Sequence, residues 1–187
     1  MLKRCLLLFA LLVPMLAPAS DYRVGDRLPA GKGAAKGFKE IMWDDLMPKG
    51  WDPMAAFKGI DLNKLQDNDP KAIDLLASVR KEWDKAPVEP ALNGQRIRIP
   101  GFVVPLERKG DDVIEFLLVP YFGACIHVPP PPSNQIVHAT SELGVRVDAL
   151  YEPFWIEGPL SVEHASSELA EAGYRMQAQK IYPYELQ

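Results

Sequence analysis

The residues best equipped for chemistry fall in one stretch, Tyr121-Phe122-Gly123-Ala124-Cys125-Ile126-His127-Val128, which runs into Pro129-Pro130-Pro131-Pro132-Ser133-Asn134-Gln135. Cys125 and His127 are two positions apart, so an extended backbone turns thiol and imidazole to one face. A thiolate sulfur and an imidazole nitrogen so placed can reach one Zn2+, an ion that takes S and N donors in tetrahedral array. His138 follows on the returning chain and, across a hairpin, completes a Cys125–His127–His138 set, with water, a carboxylate or a partner's group as fourth ligand. Two donors at i and i+2 also arise by chance, unlike paired Cys-x-x-Cys elements. Cys125 therefore reads equally as a buried small hydrophobe, or as a redox or intermolecular thiol. His138 and His164 read on their own as local structure.

The four prolines favour polyproline II, at ~3.1 Å per residue, and form a stiff arm with little entropy left to lose. With Tyr121, Phe122, Asn134 and Gln135 around them, Pro129, Pro130, Pro131 and Pro132 offer a metal-free docking surface for another protein. A Cys125–His127 nucleophile and base would need a third group to orient the imidazole, and none is identifiable. There is no Gly-x-Ser-x-Gly, no His-Glu-x-x-His and no phosphate-cradling glycine loop. The pairs Asp44-Asp45 and Asp111-Asp112 carry no mark of an acid/base couple. The chain reads as a non-enzyme, with thiol chemistry at Cys125 as the enzymatic alternative.

The compartment decides what a single thiol means. Met1-Leu2-Lys3-Arg4 is a cationic start, Cys5 to Leu16 is apolar, and Ala17-Pro18-Ala19 supplies small residues for a peptidase. This is the layout of a secretory signal over residues 1–19, cleaved after Ala19 or Ser20. The apolar run of about 12 residues falls short of the ~20 that span a bilayer. The mature chain is therefore expected in the periplasm, soluble and without an integral membrane segment. Cys5 leaves with the leader, and Cys125 is left without an intrachain partner in an oxidising compartment. The 21 basic residues less Lys3 and Arg4, against 25 acidic ones, leave a mature net charge of −6. With no basic stretch, a nucleic-acid surface is excluded.

The elements that must position these residues belong to a single domain. Hydrophobic residues make up 48% and charged residues 25% of 187, ordinary for a globular chain, whereas 18 prolines argue against a helical bundle. Residues 20–40, rich in Gly, Lys and Ala, read as a flexible N-terminus. Residues 41–90 read as a helical cover. Within it Asp69 caps a helix opened by Pro70 and running to about Trp83, with Ile73, Leu76, Val79 and Trp83 on one apolar stripe. Residues 91–187 read as mainly β: a strand from Arg96 to Val104 bent at Pro100-Gly101, then Val113–Val119, Gln135–Ala139, Phe154–Val162 and Tyr174–Tyr182. A short helix is expected over Glu163–Ala172. Five curved strands with one helix point to a small Greek-key barrel of the OB type.

Glu115-Phe116-Leu117-Leu118-Val119-Pro120 followed by the Tyr121–Pro132 stretch and Asn134-Gln135 resembles the signature of a family of uncharacterised exported bacterial proteins. Trp43-x-x-Leu46-x-Pro48, the Asn93–Pro105 strand and Trp155-Ile156-Glu157-Gly158-Pro159-Leu160 extend the resemblance over most of residues 40–182. Members of that family are often encoded beside an ABC transporter and a histidine-rich periplasmic protein in zinc-responsive operons. The resemblance implies a periplasmic accessory role in zinc homeostasis or in that transporter's work, with ABC transporter components or a periplasmic metal-binding protein as partners.

Overall fold

Stretches of Val, Ile, Leu and Phe broken by Gly, Pro and Asp supply most of the regular structure. The computed structural model describes residues 22–28, 37–60 and 69–184. The leader and its cleavage site lie outside the described residues. Nine strands form among those described: β1 (Lys39–Glu40), β2 (Arg96–Lys109), β3 (Asp112–Val119), β4 (Val137–Arg146), β5 (Phe154–Ser161), β6 (Ala165–Ser166), β7 (Glu171–Ala172), β8 (Tyr174–Gln177) and β9 (Lys180–Pro183). One α-helix, α1 (Pro70–Trp83), and short 3-10 turns complete the set. The molecule is mainly β, as the sequence implies.

Seven strands share one sheet. β2 pairs antiparallel with β3, β3 with β4, β8 with β5, and β5 with both β2 and β9. Two pairs are parallel, β1 with β2 and β4 with β8. β2 is longer than expected and serves two neighbours. Arg96 to Gly101 pair with β5, and Phe102 to Lys109 pair with β3. The handover needs Gly101, because a Cβ there would lie 2.8 Å from the Leu118 side chain and 2.9 Å from the Val119 carbonyl oxygen. The bend at Pro100-Gly101 is thus the point where one strand changes partner.

Period-two alternation sorts β2 between two apolar clusters. Ile97, Ile99 and Val103 join Phe116, Leu118, Ile156, Leu160 and Tyr174 in one; Phe102 and Val104 join Leu117, Val119, Ile136 and Trp155 in the other. A row of alternating charge crosses four strands, Glu40 beside Arg98, Arg98 beside Glu157, and Glu157 beside Lys180. Arg98 Nη2 lies 2.8 Å from Glu40, Lys180 Nζ 3.0 Å from Glu157, and the Arg98 guanidinium stacks 4.1 Å from the Trp155 ring. Burying charges is tolerable only when each finds such partners.

Several expectations are corrected. No helix forms over Glu163–Ala172; β6 and β7 pair there as a small antiparallel unit. Helix-favouring Ala and Glu lose to a turn in which the Ser167 N–H donates to the Ala170 carbonyl at 3.1 Å while Ala165, Ala170 and Ala172 are buried. The expected strand Tyr174–Tyr182 divides into β8 and β9, which pair with different stretches of β5. The expected strand Gln135–Ala139 starts two residues later and extends to Arg146, while Gln135 closes a 3-10 turn, Ser133–Gln135. Residues 22–28 and 37–40, expected to be flexible, contact the sheet: β1 is laid on β2, and Leu28 is buried. In α1 the Asp69 cap forms as expected, its carboxylate accepting from Lys71 N at 2.9 Å. The helix buries Ala72 and Val79, however, and leaves Ile73 and Leu76 exposed. Among the described residues no helix is long and apolar enough to cross a membrane.

Candidate functional site

The stretch after β3 folds back on itself. The Gly123 carbonyl accepts from the N–H groups of Ile126, His127 and Val128, at 3.3, 2.8 and 3.2 Å. This tight turn holds Gly123 at φ 80 and Cys125 at φ 65. Cys125 is the one non-glycine with positive φ among the described residues, a conformation that costs an L-residue roughly 1–2 kcal/mol. The backbone through Cys125 and His127 is therefore a turn, and the expectation of an extended pair sharing one face does not hold. Cys125 is half-buried and His127 is exposed. Burial pushes the Cys125 thiol up to about 11, against a weaker opposing pull from Arg80. Burial also raises the Tyr121 phenol, whose ring carries the Arg27 guanidinium 6.0 Å from its centroid.

His138 is elsewhere engaged. It sits in β4 opposite Leu117, buried, with Nε2 2.7 Å from Glu115 Oε1. Cys125, His127 and His138 are not assembled as one ligand set. Among the described residues no group of three or more His, Cys, Asp or Glu is placed to hold a metal ion. Removing the Cys125 proton would be part of any metal's binding cost there. His164 is exposed and pairs with Glu171 at 3.2 Å.

The tetraproline is likewise not a free arm. Pro129 is exposed, but Pro130, Pro131 and Pro132 are buried, as are Asn134 and Gln135. The Asn134 amide donates to the Pro87 carbonyl and the Gln135 amide to the Trp43 carbonyl, each at 2.7 Å. Trp43 in turn donates its indole N–H to the Pro100 carbonyl at 2.7 Å. These bonds fasten the chain at Trp43 and at Pro87 to the sheet. Of the expected docking surface, Tyr121, Phe122 and Pro129 keep some exposure.

What the loop does build is an apolar cleft of about 280 Å3. Phe102 to Pro105 of β2 form its floor, Phe122, Ile126 and His127 one wall, and Val147, Leu150 and Tyr151 the other. Phe122 stands edge-on to Phe102 at 5.6 Å and tilted to Tyr151 at 6.3 Å. Ile126 and Tyr151 are 59% and 72% exposed at the rim. Residues 22–28 brace the back of the loop: Gly25 N donates to the Phe122 carbonyl at 2.8 Å, and Tyr22 meets the Phe102 ring at 5.2 Å. The second wall, Val147–Tyr151, left no signal in the sequence, because an apolar turn between strands reads the same whether it faces core or solvent.

Residues 43–183 match the family described as "Protein of unknown function (DUF3299)". The chain belongs to the DUF3299 family. A solved structure of a DUF3299 family protein from Pseudomonas aeruginosa PAO1 is 45% identical, with a TM-score of 0.65, and the match covers 83% of this chain and 99% of that one. An asparaginyl-tRNA synthetase from Pyrococcus horikoshii is 19% identical over 51% of this chain and 21% of its own, and its TM-score of 0.29 carries no argument. No curated protein matches. The DUF3299 match takes in the Cys125 turn, the buried prolines and all three sides of the cleft.

Proposed function

We propose that this DUF3299 protein is an exported, periplasmic, non-enzymatic accessory module that binds a partner protein through the cleft bounded by β2, the Tyr121–Val128 loop and the Val147–Tyr151 segment. The observation that supports this reading is the apolar rim itself: Ile126 and Tyr151 stand exposed over a 280 Å3 recess with aromatic walls. Exposed apolar area of this kind marks interaction sites. The partners are ABC transporter components or a periplasmic metal-binding protein, as the family resemblance implies. The scaffold reads as a five-strand barrel of the OB type, supported by the circuit of pairings from β2 through β3, β4, β8 and β5 back to β2.

The metal-free form of the interaction takes precedence over a Zn2+ centre because Cys125 is held protonated in a turn and His138 is committed to Glu115. Titrating the mature protein with the purified histidine-rich periplasmic protein tests the reading. Ile126→Ala and Tyr151→Ala should each weaken binding by about tenfold, and Cys125→Ser should leave it unchanged. Zn2+ binding by the protein alone, lost in Cys125→Ser, would instead make the turn a metal site.

A further inference from the structure

Among the described residues, no strand pairs with half of one edge of β2. β1 and β5 pair with the same residues, Ile97 and Arg98, and so lie on opposite edges. Backbone groups along a strand alternate between its edges. The Arg98 carbonyl accepts from Ile41 N on the β1 side at 3.0 Å, and the Gln95 carbonyl accepts from Leu160 N, at the end of β5, at 2.9 Å. Odd-numbered residues of β2 therefore turn N–H and C=O toward β5. The ladder to β5 ends at Gly101 with Phe154, and β3 pairs with the strand from Phe102 onward. Pro105 has no N–H, which suits an edge without a strand better than a ladder with β3. The N–H and C=O of Val103 and the C=O of Pro105 then point to the side β5 has left, where no strand stands among the described residues. Val103 is only 4% exposed, and buried backbone polar groups require partners.

This bare edge is the floor of the cleft. The two apolar clusters meet along it, Val103 and Leu150 on one side, Phe102 and Phe122 on the other. We propose that an extended segment of a partner protein joins β2 at this edge as an added strand, a deepening that rests on the cleft being the partner-binding surface. Hydrogen-bonding groups flanked by apolar walls call for a polypeptide backbone carrying apolar side chains at alternate positions. One peptide residue exchanges both hydrogen bonds with Val103, and a second donates its N–H to the Pro105 carbonyl. Proline at 105 and the irregular register between Pro105 and Glu107 end the footprint there.

A heptapeptide library displayed on phage and panned on the full mature protein supplies the probe, and the selected peptide is then synthesised. Exchange of the Val103 amide, read by NMR on 15N-labelled protein, should slow by about tenfold or more when the peptide saturates. N-methylation of the peptide at alternate positions should cost about tenfold in affinity, with the positions between tolerant. A peptide that shifts Ile126 and Tyr151 but leaves Val103 exchange unchanged and tolerates every N-methyl group would overturn strand addition while leaving the cleft as the binding surface. Failure to recover any peptide whose binding weakens in Tyr151→Ala overturns the added strand; the titration with the periplasmic protein then decides separately whether the cleft binds at all.

Discussion

Cys125 shows how environment decides what a side chain can do. Its spacing to His127 is that of a ligand pair, yet φ 65 folds the chain between them and burial keeps the sulfur protonated. Alkylation by iodoacetamide should therefore be slow at neutral pH and accelerate only as pH climbs toward 11; a rate already at its plateau near pH 7 would show a thiolate that this site does not favour. His138 was equally misleading in sequence. Nothing in the residues around it announces Glu115, which lies 23 positions earlier and comes within 2.7 Å only when β3 pairs with β4. His138→Ala should lower stability by about 1–3 kcal/mol in denaturant unfolding, while Zn2+ affinity stays where it was.

Among the elements, β2 carries the greatest burden. Its bend was visible in Pro100-Gly101, because few other residue pairs both interrupt a ladder and admit close backbone approach. The row Glu40–Arg98–Glu157–Lys180 was not visible, since it draws one residue from each of four separate strands. Arg98 also donates to the Tyr182 hydroxyl at 3.2 Å, and that hydroxyl donates to Glu157 at 2.7 Å. Arg98→Ala leaves the half-buried Glu40 carboxylate and Tyr182 hydroxyl without their donor and should cost about 1–3 kcal/mol in chemical unfolding; a loss below 1 kcal/mol would mean the row is ornamental. Gly158→Ala should also destabilise, by about 1–3 kcal/mol, because the new methyl collides with the Gln177 carbonyl oxygen.

Over the whole molecule, polar contacts tie Leu46 and Glu89, which precede the long strands, to the sheet. The Tyr174 hydroxyl donates to the Leu46 carbonyl and accepts from Glu89 N, both at 2.6 Å. Burial pushes its phenol up to about 12. The unfolded chain ionises near 10 while the folded chain stays neutral, so this group's contribution is complete below pH 10 and is lost as pH rises toward 12. Tyr174→Phe should lower stability at neutral pH by about 1–3 kcal/mol and flatten the alkaline decline, both measurable by thermal unfolding across pH 7 to 11. The rim of the cleft stands apart from this scaffold. Ile126→Ala and Tyr151→Ala, at exposed positions, should change the melting temperature little while weakening partner binding.

The mainly β class, the Asp69-Pro70 helix start and the loop after Val119 were written locally, in caps, turns and alternating apolar residues. Local signals suffice for these because each depends on neighbours within a few positions of the chain. Which surface of that loop stays open was settled only by packing. Three of the four prolines went inward, the helix expected before β8 became a paired turn, and Val147–Tyr151 arrived from 22–26 residues beyond Cys125 to close the second wall. Burial and edge exposure depend on what the rest of the chain brings alongside, and a linear text holds no record of that until the strands pair.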